Sequence, residues 1–372
     1  MAFTASRLLL IVFLVPPSFS SPLPPPPHHF SKIYAFGDSF TDTGNTHSGT
    51  GPYAFGYVSR PPYGSTFFHR PTNRYSDGRL VVDFLADALS LPFLPPYRSS
   101  PSSPHGVNFA VAGSTALDHE VFVMNNVTID YTPESLGTQM KWFEGFLARR
   151  GCRAARSEEC ESAMRGALIW FGEIGVNDYA YSFGSSLSPD FIQTETVKTV
   201  ISSLQEILNK GAKHIVVQGL PLIGCLPLSL FLTSPEDRDE TGCSASINRR
   251  ASSHNALLQN KLQELRRQHP AAVISYADYY NAHLTVMKNP KANGFMEPFR
   301  TCCGAGGGSY NFNIFATCGS PQATRACSEP WRYVNWDGVH LTEAMYKRVA
   351  DLFFHGGFCK PAFDVMLRSK EN

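Results

Sequence analysis

Short apolar runs rich in β-branched and aromatic residues alternate along this chain with longer segments of helical periodicity. Because parallel strands need long crossover connections, this alternation predicts a mainly parallel sheet with helices on both faces. Ligands of such folds bind beyond the carboxyl ends of the strands. Five strands are predicted, at Ile33–Phe36, Val107–Val111, Ala167–Gly172, His214–Gly219 and Val273–Ala277.

Helical patterns separate these strands. One of them closes at Gly211, a suitable C-cap, and the last begins at Thr342 as N-cap and ends at Gly356. The patterns cover residues 79–90, 136–150, 196–211, 249–270 and 341–357.

The first 21 residues have the layout of a secretory signal peptide. Arg7 precedes an apolar core from Leu8 to Val15, which is too short to span a bilayer, and prolines and serines follow. A Pro-rich leader, residues 22–31, would come next, and residues 32–372 would form a single domain. We therefore expect a secreted, extracellular or cell-wall protein without stable membrane insertion.

The charges and cysteines narrow the class of protein. The chain has 32 Lys and Arg against 31 Asp and Glu, so it lacks the charge excess of a nucleic-acid binder. We also expect a monomer.

Nine cysteines in a secreted chain favour disulfides with at least one thiol unpaired. Four of them, in a Gly-rich segment, are Cys302, Cys303, Cys318 and Cys327; their spacing fits no standard zinc finger, although zinc stays an alternative. Asn126 opens a glycosylation sequon, or is an unmodified surface residue.

The first three predicted strands all end in small polar residues. The strand ends contain Gly37-Asp38-Ser39, Ala112-Gly113-Ser114 and, after the third strand, Asn177-Asp178. One such end means little, but three on the same edge of a parallel sheet form a candidate active site. The backbone N–H groups of Ser39 and Gly113 and the amide of Asn177 could hold an oxyanion. The alternatives are that Gly113 only serves a tight turn and that Asn177-Asp178 only cap a helix.

A serine nucleophile needs a base, and His340 is the candidate. Asp337 stands three residues before it, within reach of the imidazole Nδ1–H, although a purely structural Asp–His turn stays open. Asp278, after the fifth strand, is an alternative acid, while Asp38 is expected to brace its turn. The nucleophile-elbow pattern G-x-S-x-G does not occur, which disfavours an α/β-hydrolase.

Four segments together resemble the conserved blocks of the GDSL esterase/lipase family, also called SGNH hydrolases, in its plant secreted branch. They are "AFGDSFTDTGN", "GVNFAVAGSTAL", "GEIGVNDY" and "VNWDGVHLTEAMY", in the family's order. The resemblance implies a three-layer α/β/α sandwich, flavodoxin-like, with a five-stranded mainly parallel sheet. It also implies a nucleophile at Ser39, a base at His340, an orienting acid at Asp337 and an oxyanion hole from Ser39, Gly113 and Asn177. No metal or cofactor is implied.

Two positions depart from the family pattern. Phe40 stands where the signature has leucine, and Ala112 where many members have a first glycine; the donor Gly113 is kept. The function expected is a secreted serine esterase acting on short acyl or acetyl esters of glycans or specialised metabolites, or on lipids. An acyltransferase with the same acyl-enzyme and a non-catalytic wall- or glycan-binding protein are the alternatives. An aromatic cluster at residues 52–68 could line the substrate pocket or be surface packing.

Overall fold

The order of the strands in the central sheet determines where the polar strand ends lie. In the computed structural model, which describes residues 30–47, 55–127, 132–155 and 157–368, this order is β2-β1-β3-β4-β5-β8. The first five strands pair in parallel, and β8 pairs antiparallel with β5. The strands are β1 Lys32–Phe36, β2 Gly106–Asn108, β3 Ala167–Phe171, β4 His214–Gln218, β5 Val273–Ala277, β6 Glu297–Thr301, β7 Tyr333–Asn335 and β8 Cys359–Lys360.

Eleven α-helices lie within the described residues, together with 3-10 turns at Phe55–Ser59, Ile223–Cys225, Lys291–Asn293 and Pro330–Arg332. The helices are α1 Val81–Ala88, α2 His119–Met124, α3 Leu136–Ala148, α4 Glu158–Met164, α5 Val176–Ser182, α6 Pro189–Asn209, α7 Pro227–Leu232, α8 Ala245–Gln268, α9 Tyr279–Lys288, α10 Glu343–Phe354 and α11 Phe363–Arg368.

The two faces of the sheet carry separate apolar cores, as alternation along a strand requires. On β1, Ile33 and Ala35 belong to the core that α1, α9 and α10 cover. Tyr34 and Phe36 point to the opposite core, which α3, α6 and α8 cover. The result is a three-layer α/β/α sandwich, and its parallel strand order 2-1-3-4-5 is the flavodoxin-like one. The predicted fold class is therefore confirmed.

The five predicted strands are all present, but the sheet contains a sixth. Strand β8 has only two residues, too few for a recognisable pattern in the sequence. Strand β2 ends at Asn108 rather than Val111, although the Phe109 amide still donates to the Ala35 carbonyl at 2.7 Å. At this edge Asn45 Nδ2 donates to the carbonyls of Asn108 and Ala110, both at 2.8 Å. Strands β6 and β7 form a separate parallel pair that the sequence did not predict.

The predicted helices are confirmed, with shifted ends. Helix α6 begins earlier than predicted, at Pro189, with Ser188 as N-cap, and Gly211 after its end has φ +98°. Thr342 is the N-cap of α10, as predicted: its hydroxyl oxygen accepts a hydrogen bond from the Met345 amide. Phe30, assigned to the leader, is buried and packs edge-on against His214. The predicted signal peptide and Pro22–Pro27 lie outside the described residues.

Four disulfides occur within the described residues. Cys302 pairs with Cys327 and Cys303 with Cys318, so bridges do hold the Gly-rich segment. The other two join Cys152 to Cys160 and Cys225 to Cys243. Cys359 is the free, buried thiol.

Candidate active site

The three polar strand ends meet at the carboxyl edge of the sheet, because β1 lies between β2 and β3. Gly37, with φ +139°, lets the chain turn sharply after β1. Asp38 then braces the turn: its Oδ1 accepts from the Phe40 amide at 3.0 Å, and its carbonyl accepts from the amides of Thr41 and Asp42. This turn presents Ser39, which is 4% exposed.

A chain of short contacts joins Ser39 to the last of the four motifs. Ser39 Oγ lies 2.7 Å from His340 Nε2, and His340 Nδ1 lies 2.8 Å from Asp337 Oδ2. The second carboxylate oxygen of Asp337 accepts from the amides of Val339 and His340, at 3.0 and 2.8 Å. The three side chains therefore have the nucleophile–base–acid arrangement of a serine hydrolase.

The charge of Asp337 is stabilised in place. Burial by itself would raise the pKa of the Asp337 carboxyl. The adjacent His340 and the hydrogen bonds that Asp337 accepts nevertheless hold this pKa below its ordinary value. Asp337 is thus an anion facing the imidazole, and an imidazolium formed during a reaction would be stabilised. Asp278, the alternative acid, instead caps α9 by accepting from the Asn281 amide at 3.2 Å.

Two backbone donors are free for an oxyanion. Among the described residues, no acceptor is found for the N–H of Ser39 or of Gly113. Gly113 has φ +78°, and a Cβ there would lie 2.5 Å from Thr132 Oγ1 and 2.8 Å from the Tyr181 hydroxyl. Both the backbone conformation and the lack of space therefore require glycine at this position.

Asn177 lies in the first turn of α5 and joins two of the strand ends. Its Nδ2 donates to Asp38 Oδ2 at 2.9 Å and to the Ser114 carbonyl at 3.0 Å. Its partners Asp38 and Ser114 are the neighbours of Ser39 and Gly113 in the chain. Both protons of the Asn177 amide already take part in hydrogen bonds. A developing oxyanion would have to compete for one of them.

Buried carboxyl groups surround this edge. Burial raises the pKa of Asp38 to about 6 and that of Asp178 to about 7. Asp42 Oδ2 accepts from the Ala112 amide at 3.0 Å, which ties the first motif to the second. Burial, and then the adjacent Asp38, raises the pKa of Glu173 well above its ordinary value.

The residue Gln139 of α3 was missed by sequence reasoning. Completely buried, it accepts from the Gly37 amide at 3.1 Å and donates to the Gly37 carbonyl at 2.8 Å and to Ser114 Oγ at 2.9 Å. It thereby fixes the two turns that carry Ser39 and Gly113. A lone glutamine in an amphipathic helix gives no signal of this role.

The predicted aromatic cluster is described from Phe55 onward, and residues 52–54 lie outside the described residues. Its Tyr63 is buried beside the Asp337–His340 turn. Tyr75, beyond the cluster, is also buried there, and its ring lies 4.6 Å from the His340 ring. Phe55 lies beside Gly113, at 3.1 Å from the place a Cβ would take. No group of three or more His, Cys, Asp or Glu that could hold a metal occurs in the described ranges.

Known proteins resemble this chain over most of its length. A family model described as GDSL-like lipase/acylhydrolase matches residues 33–353. GDSL esterase/lipase At3g48460 of Arabidopsis thaliana is 51% identical over 351 residues, which cover 92% of this chain and 90% of that protein. Acetylajmalan esterase 1 of Rauvolfia serpentina is 40% identical over 328 residues, covering 87% and 85%.

Solved structures share less. A catalytic mutant of Axe2, an acetylxylan esterase from Geobacillus stearothermophilus, is 14% identical, covers 91% of this chain and 97% of that chain, and has a TM-score of 0.42. This likeness is too weak to support an inference about function.

Proposed function

Because this chain belongs to the GDSL-like lipase/acylhydrolase family and is a carboxylic-ester hydrolase, we propose that it cleaves esters through an acyl-enzyme on Ser39. The observation that carries the proposal is the 2.7 Å contact between Ser39 Oγ and His340 Nε2. It joins a turn at residue 39 to a turn 301 positions later, and a purely structural role for either turn does not require it.

In the proposed reaction, His340 Nε2 takes the proton of Ser39 Oγ as the oxygen attacks the ester carbonyl. Asp337 accepts a hydrogen bond from the Nδ1–H and stabilises the imidazolium. The imidazolium then protonates the leaving alcohol, and an acyl group stays on Ser39. Water, deprotonated by the same imidazole, then attacks the acyl carbon. The bond between this carbon and Ser39 Oγ breaks, the acid leaves, and the imidazolium returns its proton to Oγ. The protein supplies nucleophile, base and acid, so no metal or cofactor is needed for these steps.

The tetrahedral intermediate carries a negative oxygen, and the N–H groups of Ser39 and Gly113 are proposed to hold it. Their freedom from protein acceptors among the described residues supports this role. Asn177 is the third proposed donor; its amide would turn one proton from Asp38 or Ser114 towards the oxyanion. Each such donor is worth roughly 2.7–4 kcal/mol in the barrier.

The proposed substrates are short acyl esters, acetyl esters above all, of glycans or specialised metabolites. The resemblance to acetylajmalan esterases supports this class, and the close approach of Phe55, Thr132 and Tyr181 to Gly113 limits the space beside the proposed oxyanion hole. We further propose that the protein is secreted as a glycosylated monomer. Asn126 is exposed, and no helix of the described residues could cross a membrane.

The test uses p-nitrophenyl esters of increasing chain length with the wild-type protein and with Ser39→Ala. We expect hydrolysis of the acetate by the wild type, rates that fall as the acyl chain lengthens, and no turnover by the variant, because alanine has no oxygen to form the acyl-enzyme. Activity should also decline at acid pH, since a protonated imidazole cannot accept the serine proton.

The matched control is Ser246→Ala, which removes an exposed hydroxyl at the start of α8, bonded to Asp237 and remote in the chain from all four motifs. It should keep the wild-type rate. Hydrolysis retained by Ser39→Ala would overturn the proposed mechanism, and faster cleavage of long acyl chains than of acetate would overturn the proposed substrate class.

A further inference from the structure

A buried tyrosine outside the four motifs contacts the acid of the proposed triad. The Tyr63 hydroxyl donates to Asp337 Oδ2 at 2.7 Å, across 274 positions of sequence. This is the oxygen that also faces His340 Nδ1. The Asp337 carboxylate therefore has four partners: one tyrosine hydroxyl, one imidazole and two backbone amides.

The packing around Tyr63 fixes where its hydroxyl lies. The side chain is 4% exposed, and its ring meets the rings of Trp336 and Tyr75 edge-on, at 5.9 and 6.1 Å. Its backbone is held as well, since the Tyr63 amide donates to the Arg60 carbonyl at 3.2 Å. A hydroxyl held this firmly can orient its partner, because a side chain locked by packing transmits its position.

The protonation state suits a donor. Burial, and then the charge of Asp337, raises the pKa of Tyr63 well above its ordinary value. The phenol is therefore neutral throughout the working range of an esterase. A carboxylate has no proton to give, so the hydrogen bond runs from tyrosine to aspartate.

We propose that Tyr63 is a positioning residue, whose hydroxyl holds the Asp337 carboxylate in the orientation that directs Oδ2 at the His340 Nδ1–H. This inference rests on the function proposed above. By sharing Oδ2, the hydroxyl also tempers the negative charge that the imidazole meets. The two effects act together: one sets the geometry of the base, and the other sets how strongly its protonated form is stabilised.

The experiment is Tyr63→Phe, which removes the hydroxyl and keeps the ring. We expect kcat on p-nitrophenyl acetate to fall about three- to tenfold, the ratio that corresponds to one lost hydrogen bond, with less than a twofold change in KM. The acid limb of kcat/KM should move to higher pH, because an unshared Oδ2 stabilises the imidazolium more. The matched control is Tyr34→Phe, another buried tyrosine whose hydroxyl donates to a backbone carbonyl, that of Ala163, and which should leave both quantities unchanged.

A second measurement separates positioning from stability. The rate at which a fluorophosphonate labels Ser39 is compared for Tyr63→Phe in the wild-type background and in an Asp337→Ala background. A positioning role predicts a loss in the first and none in the second, since no carboxylate remains to be held. An equal loss in both backgrounds, or an unchanged pH profile and kcat, would overturn the proposal. Retained activity in Ser39→Ala, by contrast, would overturn the proposed function itself.

Discussion

Asp38 shows how one side chain serves both a turn and a site. Its Oδ1 accepts a hydrogen bond from the Phe40 amide and so braces the turn, as expected from the sequence. Its Oδ2 accepts from the side-chain amide of Asn177, in another motif. Next to it, Glu173 is completely buried. Burial, and then the adjacent Asp38, raises the pKa of Glu173 well above its ordinary value, so this carboxyl keeps its proton to higher pH than an exposed glutamate does.

Replacing Glu173 by Gln should therefore change how stability depends on pH. A carboxyl whose pKa is raised on folding keeps its proton in the folded state while the unfolded chain loses it, so the free energy of unfolding falls as pH rises above the ordinary glutamate pKa. Gln has no proton to lose. In urea denaturation at pH 5 and pH 8.5, the variant should gain stability relative to the wild type as pH rises.

The control for that experiment is Glu264→Gln, at an exposed carboxylate on α8 that pairs with Lys261. Its difference from the wild type should be the same at both pH values. If Glu173→Gln behaved like this control, the raised pKa of Glu173 would be refuted.

At the scale of elements, the disulfide-bridged segment supports the strand that leads into Asp337. The Cys302 amide donates to the Asn335 carbonyl at 3.0 Å, and the Cys303 amide donates to the Trp336 carbonyl at 2.7 Å. The Gly-rich segment is thus hydrogen-bonded to the end of β7 and to Trp336, the residue before Asp337. The composition of the segment, rich in glycine and poor in apolar residues, explains why bridges rather than packing hold it.

Opening the Cys302–Cys327 bridge, with both residues changed to Ser, should reduce both stability and kcat. Closing a loop of this length is worth roughly 2–4 kcal/mol of unfolding free energy. Loss of kcat is expected because the strand before Asp337 loses its support. The measurements are urea denaturation and ester hydrolysis at a temperature where the variant stays folded.

The matched control is the Cys152–Cys160 pair, also changed to Ser. That bridge lies before β3, at the amino edge of the sheet, on the side away from Ser39. It should cost stability but leave kcat per folded molecule unchanged. Equal effects of both pairs on kcat would contradict a specific support of Asp337 by the Gly-rich segment.

At the scale of the whole molecule, two histidines are buried within the helical layers. His283 on α9 is completely buried, and neither ring nitrogen has a hydrogen-bond partner among the residues that the structure describes. Burial lowers its pKa to about 3, and it lowers the pKa of His254 on α8 to about 4. Both imidazoles are therefore neutral in the folded protein at pH 7, because burial disfavours the protonated, charged form.

His283→Leu should therefore make the fold less sensitive to acid. A base whose pKa is lowered on folding takes up a proton only in the unfolded chain as pH falls below about 6.5, so stability is lost between that pH and about 3. Leucine has a similar size and no group that can take up a proton, so it can replace His283 in this buried position. The buried acids Asp38 and Asp178 act in the opposite sense, so the informative quantity is the difference between the two proteins.

The free energy of unfolding is measured at pH 7 and pH 4.5 for both. The variant should gain stability relative to the wild type at the lower pH. The control, His69→Leu, replaces an exposed histidine and should not show this gain. A constant difference between wild type and His283→Leu at the two pH values would contradict a neutral, buried His283.

Sequence by itself determined what neighbours along the chain can encode. Runs such as Ala167–Phe171 are apolar throughout because both of their faces are buried, so the five parallel strands and their helices could be predicted. The polar strand ends, and the Asp337–His340 turn, were visible as local patterns, and residues from them lie within hydrogen-bonding distance of one another in the structure.

Only the tertiary structure decided the contacts between residues far apart in the chain. The Tyr63–Asp337 hydrogen bond, the Gln139 link between two turns, the β6–β7 pair and the pairing of the cysteines leave no periodic or local trace. They depend on how separate loops pack at the carboxyl edge of the sheet. The physical reason is that burial and backbone preference act within a few residues, whereas a hydrogen bond between distant side chains exists only once the layers have assembled around it.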